Sequence, residues 1–354
     1  MVSGFAAEVA RHWDEFTAAV AADSAAFTLD HPRVRLAAAC GLSAAVATYL
    51  ALLMNLDMPL WAAISAVVCT SVSFTAITLK AELRIIGTLG GAALSAFLIG
   101  FIADNDWMLC VALVLSVGYA LYRAYLSAFM YAWVLAAMTS AIVYLTTLAE
   151  PATGLHAAGY RTAEIIVGVI ASGVMGWLLL PATTTPEKDL ALVKPVLHSR
   201  RSAAMAGIEA ALGVLGVIFL YGALDLPGFS AAAISITRVA DPDPKLGRHR
   251  GFLRLVGCGF GMAAGLFVLW LSPSTTIEML FWVALGSAVF GYFSSGPAAS
   301  AYAGLQGGIA FLVALITGNA PATSLTPVID RLAGVVLALF VFWVVDAVLR
   351  GAEE

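Results

Sequence analysis

Two charged residues fall inside apolar stretches of this sequence, where a charge is costly and usually functional. Arg238 lies eleven residues after Pro227, and Glu209 lies eight residues after Arg201. At the helical rise, these spacings place both side chains about 12 to 16 Å into neighbouring segments that are entered from opposite ends. We expect them to face one cavity. A structural ion pair, or an Arg238 side chain that extends toward the inner face, is the alternative.

The chemistry of such a cavity would be anion binding coupled to proton transfer. The planar guanidinium of Arg238 suits a substrate carboxylate. Glu209 is expected to take up and release a proton, because surroundings of low dielectric constant disfavour a charged carboxylate.

Polar and aromatic residues on other apolar stretches extend the predicted binding path. Hydroxyl groups recur in one stretch, and tyrosine and tryptophan side chains can stack on an aromatic substrate. These aromatic residues are also common at membrane interfaces without any ligand. The further residues that we expect to contact the substrate are Thr70, Ser71, Arg123, Tyr125, Tyr131 and Trp133.

Two pairs of opposite charge lie near the predicted outer ends of apolar stretches. Arg161 precedes Glu164 by three residues, and Asp330 directly precedes Arg331. Both arginines break the usual concentration of basic residues on the cytoplasmic side, and they do so at matching places. We expect the two pairs to form an outer gate for anions. The alternative is that each pair only holds two helices together.

The elements that position these residues are predicted to be membrane-crossing helices. Of 354 residues, 61% are hydrophobic and 11% are charged, whereas a soluble domain has about 25% charged residues. Because a crossing helix needs about 20 apolar residues, the sequence predicts an all-α polytopic membrane protein with twelve spans. The predicted spans are 34–55, 58–78, 84–103, 107–122, 126–148, 162–180, 202–223, 227–240, 251–271, 277–292, 297–317 and 330–349.

An amphipathic segment, residues 1–32, precedes the first span. Apolar side chains such as Trp13, Phe16 and Val20 recur in it at helical spacing. A helix of this kind lies on a membrane surface or packs on the protein itself.

Lysine and arginine residues orient the spans. With the N-terminus in the cytoplasm, sixteen of the eighteen fall on the inner side, and Arg161 and Arg331 fall on the outer side. The positive-inside rule therefore predicts a multi-pass protein of the bacterial inner membrane with both termini in the cytoplasm.

The two halves of the chain repeat. Arg84-x-x-Gly87 reappears 170 residues later as Arg254-x-x-Gly257. The predicted organisation is a first transmembrane half at 33–181, a cytoplasmic linker at 182–200 and a second transmembrane half at 201–354. We expect two parallel six-helix repeats related by a pseudo-two-fold axis along the membrane normal.

The region of the fourth and fifth spans is short in both halves, and the sequences at 118–125 and 291–297 suggest that both halves are interrupted at these matching places. Non-helical backbone at membrane depth lies beside protein or water, so such interruptions point to a transport site. An ordinary helical hairpin is the alternative.

One family shares a motif with the first half of the chain. The motif is Pro59-Leu-Trp-Ala62, then Lys80, then Arg84-Ile-Ile-Gly87-Thr88 with Gly90-Gly91. It resembles the fusaric acid resistance family of aromatic acid exporters, and the second half resembles that family more loosely. The resemblance implies two six-helix halves, efflux of aromatic carboxylates, a homodimer and, in some members, a periplasmic adaptor protein. Plant aluminium-activated malate channels are similar more distantly.

These observations predict a secondary, proton-coupled efflux transporter of small aromatic or organic carboxylic acids. Its partners would be a small organic anion and the lipid bilayer. A passive organic-anion channel and a non-transporting envelope scaffold or assembly subunit are the alternatives. The sequence has no phosphate-binding loop, metal-ligand spacing or hydrolase motif, so we expect no enzymatic activity, cofactor or metal. It has no basic cluster interleaved with aromatic residues that would indicate nucleic acid.

Overall fold

The computed structural model describes residues 2–29, 32–182, 197–224, 226–296, 298–318 and 324–351. Across these ranges the chain forms thirteen α-helices. In chain order they are α1 (Val2–Ala25), α2 (Pro32–Leu53), α3 (Pro59–Cys69), α4 (Phe74–Ile102), α5 (Asp106–Leu126), α6 (Met130–Ala149), α7 (Gly154–Leu179), α8 (Arg200–Leu224), α9 (Phe229–Val239), α10 (Pro244–Trp270), α11 (Thr276–Ser294), α12 (Ala298–Leu315) and α13 (Thr326–Gly351). Most of the predicted linker, 182–200, lies outside the described residues.

The helices after α1 account for the predicted spans. Among the described residues, nine helices are long and apolar enough to cross a membrane. The other three, α3, α9 and α12, are apolar but shorter. The prediction of an all-α polytopic membrane protein is confirmed.

The predicted span 58–78 is a broken helix rather than a continuous one. α3 ends at Cys69, and Thr70 has an extended backbone with φ −55° and ψ 128°. The eleven residues of α3 cover only about 16 Å, roughly half of an apolar membrane core. Residues 70–73 continue the chain before α4 begins.

α9 ends in a similar break. It also has eleven residues, and Ala240 after it has φ −60° and ψ 119°. Backbone groups at such breaks need partners where water is scarce. In the first break, the amide of Phe74 donates to the carbonyl oxygen of Pro181 at 3.0 Å. In the second, the amide of Asp243 donates to the carboxylate of Asp241 at 2.9 Å.

The interruption expected at 118–125 is wrong. α5 runs without a break to Leu126, so 118–125 is helical throughout. At 291–297, α11 ends at Ser294 and Pro297 lies outside the described residues, so the second interruption stays a prediction. The breaks within the described residues follow α3 and α9.

The chain forms two compact units, of which the first comprises Met1–Ile77, Val167–Thr184 and His249–Val328. In this unit α2 packs along α11, and α3 packs against α2 and α12. Gly41 on α2 lies so close to α11 that a Cβ atom there would overlap the carbonyl oxygen of Ala284.

The second unit comprises Thr78–Ile166, Thr185–Arg248 and Ile329–Glu354. In it α8 packs along α5, and α9 packs against α8 and α6. Each unit thus combines helices from both predicted halves. The packing pairs also correspond: α2 on α11 in the first unit matches α8 on α5 in the second, and α3 on α2 and α12 matches α9 on α8 and α6. The internal repeat stays a prediction, which these matching pairs support.

In the first unit, α1 packs on the protein. Phe16 is buried against Leu253 and Ala303. Arg33 secures the chain after α1, because its Nη1 atom donates to Oδ1 of Asp23 at 2.6 Å and its Nη2 atom donates to the carbonyl oxygen of Tyr292 at 2.8 Å. Of the two alternatives for the amphipathic segment, the structure shows packing on the chain itself.

Candidate functional site

Arg84 lies well inside α4 and not at its end. The helix begins at Phe74, ten residues earlier, so Arg84 is about 15 Å along the helix axis. The side chain is only 4% exposed. The predicted start of the third span at residue 84 is therefore wrong, and Arg84 belongs to the interior of the helix.

Two predicted site residues, Tyr131 and Arg161, interact with Arg84 in the second unit, and Glu164 interacts with Arg161. The Nη1 atom of Arg84 donates a hydrogen bond of 3.0 Å to the hydroxyl oxygen of Tyr131. Arg161 is also buried and interacts electrostatically with Arg84 and with Glu164. The structure thus brings together Tyr131, predicted to bind substrate, and the Arg161 and Glu164 pair, predicted to form a gate. We call these four residues the arginine cluster.

Close packing of α4 on α6 builds this cluster. A Cβ atom at Gly87 would overlap the carbonyl oxygen of Ala132, and Gly91 lies as close to α6 one turn later. Glycine at such positions lets two helices approach closely within a membrane. Because Gly87 follows Arg84 by three residues, the same approach brings Tyr131 on α6 within reach of the guanidinium.

The first unit contains a similar buried arginine. Arg254 lies ten residues after the start of α10 at Pro244 and is buried. Its Nη1 atom donates to Oε1 of Gln306 at 2.8 Å. Gly257 packs against the carbonyl oxygen of Ala303 as Gly87 does in the second unit. The repeated Arg-x-x-Gly motif therefore has the same glycine packing at both of its occurrences, while the arginine has a different hydrogen-bond partner in each.

An aromatic groove of about 550 Å³ lies between α4, α5 and α6 of the second unit. Its lining includes Gly90, Tyr119, Phe129 and Trp133. The guanidinium carbon of Arg123 lies 5.4 Å from the centroid of the Trp133 ring. The structure thus brings Arg123 and Trp133 together, and contact of either side chain with a substrate stays a prediction.

The groove and the arginine cluster lie on different sides of α6. Residues two apart in an α-helix project about 200° from each other, which separates Trp133 from Tyr131. The groove is also open to the surroundings, since Tyr119 is 57% exposed. The charged cluster is therefore the better enclosed of the two sites.

The other predicted contact residues lie near the two breaks. Thr70 donates to the carbonyl oxygen of Ala66 at 2.9 Å, and Ser71 is buried. The hydroxyl group of Tyr125 donates to the carbonyl oxygen of Ala240 at 2.8 Å, so Tyr125 braces the break after α9. Contact of these three side chains with a substrate stays a prediction.

Arg238 and Glu209 both lie in the second unit. Arg238 is half-buried in the last turn of α9, and Glu209 is buried on α8. Among the described residues no hydrogen bond or ion pair joins Arg238 to Glu209. That they share one cavity stays a prediction.

The second predicted gate pair lies in the first turns of α13. Arg331 is buried and Asp330 is half-buried. The backbone of Asp330 abuts Gly228, which has φ +82° directly before α9. A gating role for this pair stays a prediction.

The arginine cluster is suited to bind a carboxylate. Two guanidinium groups keep their charge at physiological pH, and like charges in a medium of low dielectric constant raise each other's energy. The Glu164 carboxylate offsets part of this charge, and a bound anion would offset more of it. The forked N–H groups of the guanidinium can form two parallel hydrogen bonds with a carboxylate.

Sequence reasoning did not single out Arg84 and Arg254 as site residues. The predicted spans 84–103 and 251–271 place both arginines at or near the end of a span, where a charged residue looks like the boundary of a membrane helix. The residues at the helix starts would have indicated better where α4 and α10 begin. Ser73 accepts a hydrogen bond from the amide of Ala76, and Pro244 occupies the first position of α10. Both are common at helix N-termini.

Similarity to other proteins agrees with this architecture. The chain is 29% identical over 163 residues to the "Uncharacterized transporter YdhK" of Escherichia coli (strain K12), which covers 45% of this chain and 23% of that protein. It is 25% identical over 174 residues to the "p-hydroxybenzoic acid efflux pump subunit AaeB" of Enterobacter cloacae, which covers 46% of this chain and 27% of that protein. The matched region spans about a quarter of each relative's length. No solved structure matches the chain.

Family models cover most of the chain. The model of the fusaric acid resistance protein family matches residues 34–211, and a model described as fusaric acid resistance protein-like matches residues 215–345. The two matches together include both transmembrane halves. The chain belongs to the fusaric acid resistance protein family.

Proposed function

We propose that the chain is an efflux transporter of small organic anions, with aromatic carboxylic acids as the preferred class. The observation that carries the proposal is the burial of Arg84 and Arg161 within electrostatic reach of each other. Buried arginines within membrane helices mark ion and substrate pathways. The printed name of AaeB, a p-hydroxybenzoic acid efflux pump subunit, supports the aromatic acid class.

In this proposal, the arginine cluster binds the substrate carboxylate, and Tyr131 orients Arg84. The broken helices α3 and α9 support a transport role, since transporters bind their substrates at discontinuous helices. Arg238 is proposed to attract the anion near the second break. Glu209 is proposed to couple export to proton entry.

The setting of the transporter is part of the proposal. We place it in the inner membrane of a bacterium with both termini in the cytoplasm. Because AaeB is named as a pump subunit, we include a periplasmic adaptor protein among the proposed partners. A homodimer remains a further proposal.

The direct test is flux of labelled p-hydroxybenzoate into proteoliposomes, with and without an imposed pH gradient. Variants Arg84→Gln and Arg161→Gln keep a polar side chain and remove the charge. Arg35→Gln, at an exposed arginine on α2, is the matched control, and Arg123→Gln tests the aromatic groove. We expect flux in the two buried variants to fall by at least about tenfold, which is the effect of roughly 1.4 kcal/mol lost from a charge-assisted contact, while Arg35→Gln stays close to wild type.

Other flux results would support a different binding site or a different function. Loss in Arg123→Gln with normal flux in the two buried variants would move the substrate site to the aromatic groove. Flux that follows only the solute gradient and is unchanged in Glu209→Gln would favour a passive channel. If folded protein gave no more flux than empty liposomes with several aromatic acids, the scaffold alternative would replace transport.

A further inference from the structure

Two histidines and two glutamates meet where α1 packs on α10 in the first unit. Nδ1 of His12 lies 2.8 Å from Nδ1 of His249 and 3.7 Å from Oε2 of Glu15. One ligand atom from each of these three residues lies within 4.8 Å of the other two. The sequence predicts no metal, since it has no metal-ligand spacing, and these two histidines are more than two hundred residues apart in the chain.

The three donor atoms match the needs of a tetrahedral metal ion. Zinc binds histidine nitrogen and carboxylate oxygen at about 2.0 to 2.2 Å, which puts neighbouring ligand atoms about 3.3 Å apart. Two of the three separations, 2.8 Å and 3.7 Å, lie on either side of this value, and the third is at most 4.8 Å. Side-chain rotations would bring the three atoms to a common distance from the ion. Two histidines with one glutamate also occur in zinc sites that leave a fourth position open.

Glu8 adds the contact that usually supports a metal-binding histidine. Its Oε1 atom lies 3.7 Å from Nε2 of His12, on the ring nitrogen that faces away from His249. Histidines that bind a metal through one nitrogen commonly donate the other N–H to a carboxylate, which fixes the ring. Glu8, His12 and Glu15 are spaced at four and three residues, so they share one face of α1.

His12 is the buried member of this group and Glu15 is the exposed one. The His12 side chain is only 8% exposed and its ring packs on Phe252 at 5.6 Å between ring centroids, whereas the Glu15 side chain is 51% exposed. Arg11 approaches Glu15 at 4.0 Å, but its side chain is 61% exposed and can turn away. Arg250 also acts electrostatically on His249. Arg11 and Arg250 are therefore two cations that repel an incoming metal ion.

We propose that His12, Glu15 and His249 bind one divalent transition-metal ion of the zinc class, with Glu8 as a positioning residue. Imidazole and carboxylate ligands suit zinc, cobalt and nickel. The ion would tie α1 to α10 and so hold the amphipathic helix against the membrane bundle. This proposal does not rest on the anion site that is proposed for the second unit.

The test is a cobalt titration of the full-length, tag-free protein after chelator treatment in detergent. Visible ligand-field absorption reports tetrahedral Co²⁺, and Zn²⁺ displaces it if both use one site. We expect one Co²⁺ per chain in the wild type. In His249→Gln the affinity should fall by at least about a hundredfold, and in Glu8→Gln by about 10 to 100-fold. His156→Gln, a histidine on α7, is the matched control and should bind like the wild type.

A second measurement separates loss of the site from loss of the fold. Zn²⁺ should raise the thermal unfolding temperature of the wild type and of His156→Gln, but not that of His249→Gln. Gel filtration of the metal-free variants establishes that they are folded. Equal Co²⁺ affinity in folded His249→Gln and wild type, or no tetrahedral spectrum in folded wild type, would overturn the proposal.

Discussion

The Nη1 atom of Arg84 lies 3.0 Å from the hydroxyl oxygen of Tyr131, and this hydrogen bond joins α4 to α6 inside the second unit. The tyrosine oxygen accepts a hydrogen bond from a permanent cation in surroundings of low dielectric constant. Such charge-assisted bonds are stronger than neutral ones. The bond also fixes the direction of a guanidinium group that is proposed to bind substrate.

Replacing Tyr131 by phenylalanine should destabilise the protein and reduce flux. The change removes the oxygen and leaves a buried donor of Arg84 without that acceptor, which costs about 1 to 3 kcal/mol. Thermal unfolding in detergent measures the stability. Tyr119→Phe alters an exposed tyrosine on the aromatic groove and serves as control. Equal unfolding temperatures for the two variants would contradict the assigned role of the bond.

Alanine at Gly87 should destabilise the packing of α4 on α6. The added methyl group overlaps the carbonyl oxygen of Ala132, and such overpacking costs about 1 to 3 kcal/mol. Gly90 lies three residues further along the same helix, and a Cβ atom there meets nothing within 4 Å. Gly90→Ala should therefore be neutral or stabilising by up to about 1 kcal/mol. Unfolding in detergent that ranks the two variants in the opposite order would refute this packing.

Alanine at Gly228 should be more damaging than alanine at Gly222. Gly228 has φ +82°, a conformation that side chains disfavour, and a Cβ atom there would overlap the carbonyl oxygen of Asp330. Gly222 has open space around its Cα atom. We expect a loss of at least about 1 kcal/mol for Gly228→Ala and a lower yield of folded protein. Yield and unfolding temperature check this, and the prediction fails if the two variants match.

Replacing Arg33 by glutamine should loosen the attachment of α1. Arg33 binds Asp23, Ser295 and the carbonyl oxygen of Tyr292, and its guanidinium carbon lies 4.2 Å from the centroid of the Tyr292 ring. Because the Asp23 carboxylate is buried, removing its partner is costly, about 3 to 5 kcal/mol when such a pair is fully buried.

Limited proteolysis after α1 measures this change. Cleavage should be at least about tenfold faster in Arg33→Gln than in Arg35→Gln, which alters an exposed arginine two residues away. Similar rates in both variants would show that Arg33 does not hold α1.

The number and order of the helices could be predicted from the sequence, because membrane crossing imposes a length and a composition. The predicted short span at 227–240 corresponds to α9 (Phe229–Val239). The break after α3 was not predictable from hydropathy. Its sequence, Thr70 to Ser73, is no more polar than many helical stretches in membranes, and tertiary partners such as Pro181 satisfy its backbone.

The candidate site was predictable only in part. Arg161 and Glu164 stood out because they break the charge rule, and Tyr131 stood out as an aromatic residue. Arg84 did not, since a charged residue at the edge of an apolar window looks like the end of a helix. Only the packing of Gly87 on α6 shows that Arg84 lies inside a continuing helix and that its charge is buried.

The combination of helices from both halves in each unit has a consequence for biosynthesis. α2 ends at Leu53, and its partner α11 begins at Thr276. At about 5 to 20 residues per second, α2 waits on the order of ten to fifty seconds at the ribosome for that partner. During this interval the Gly41 face of α2 must be sheltered by lipid, by the insertion machinery or by temporary neighbours. Two separately synthesised halves would assemble only when present together, so a gene split within the linker should complement in the same cell.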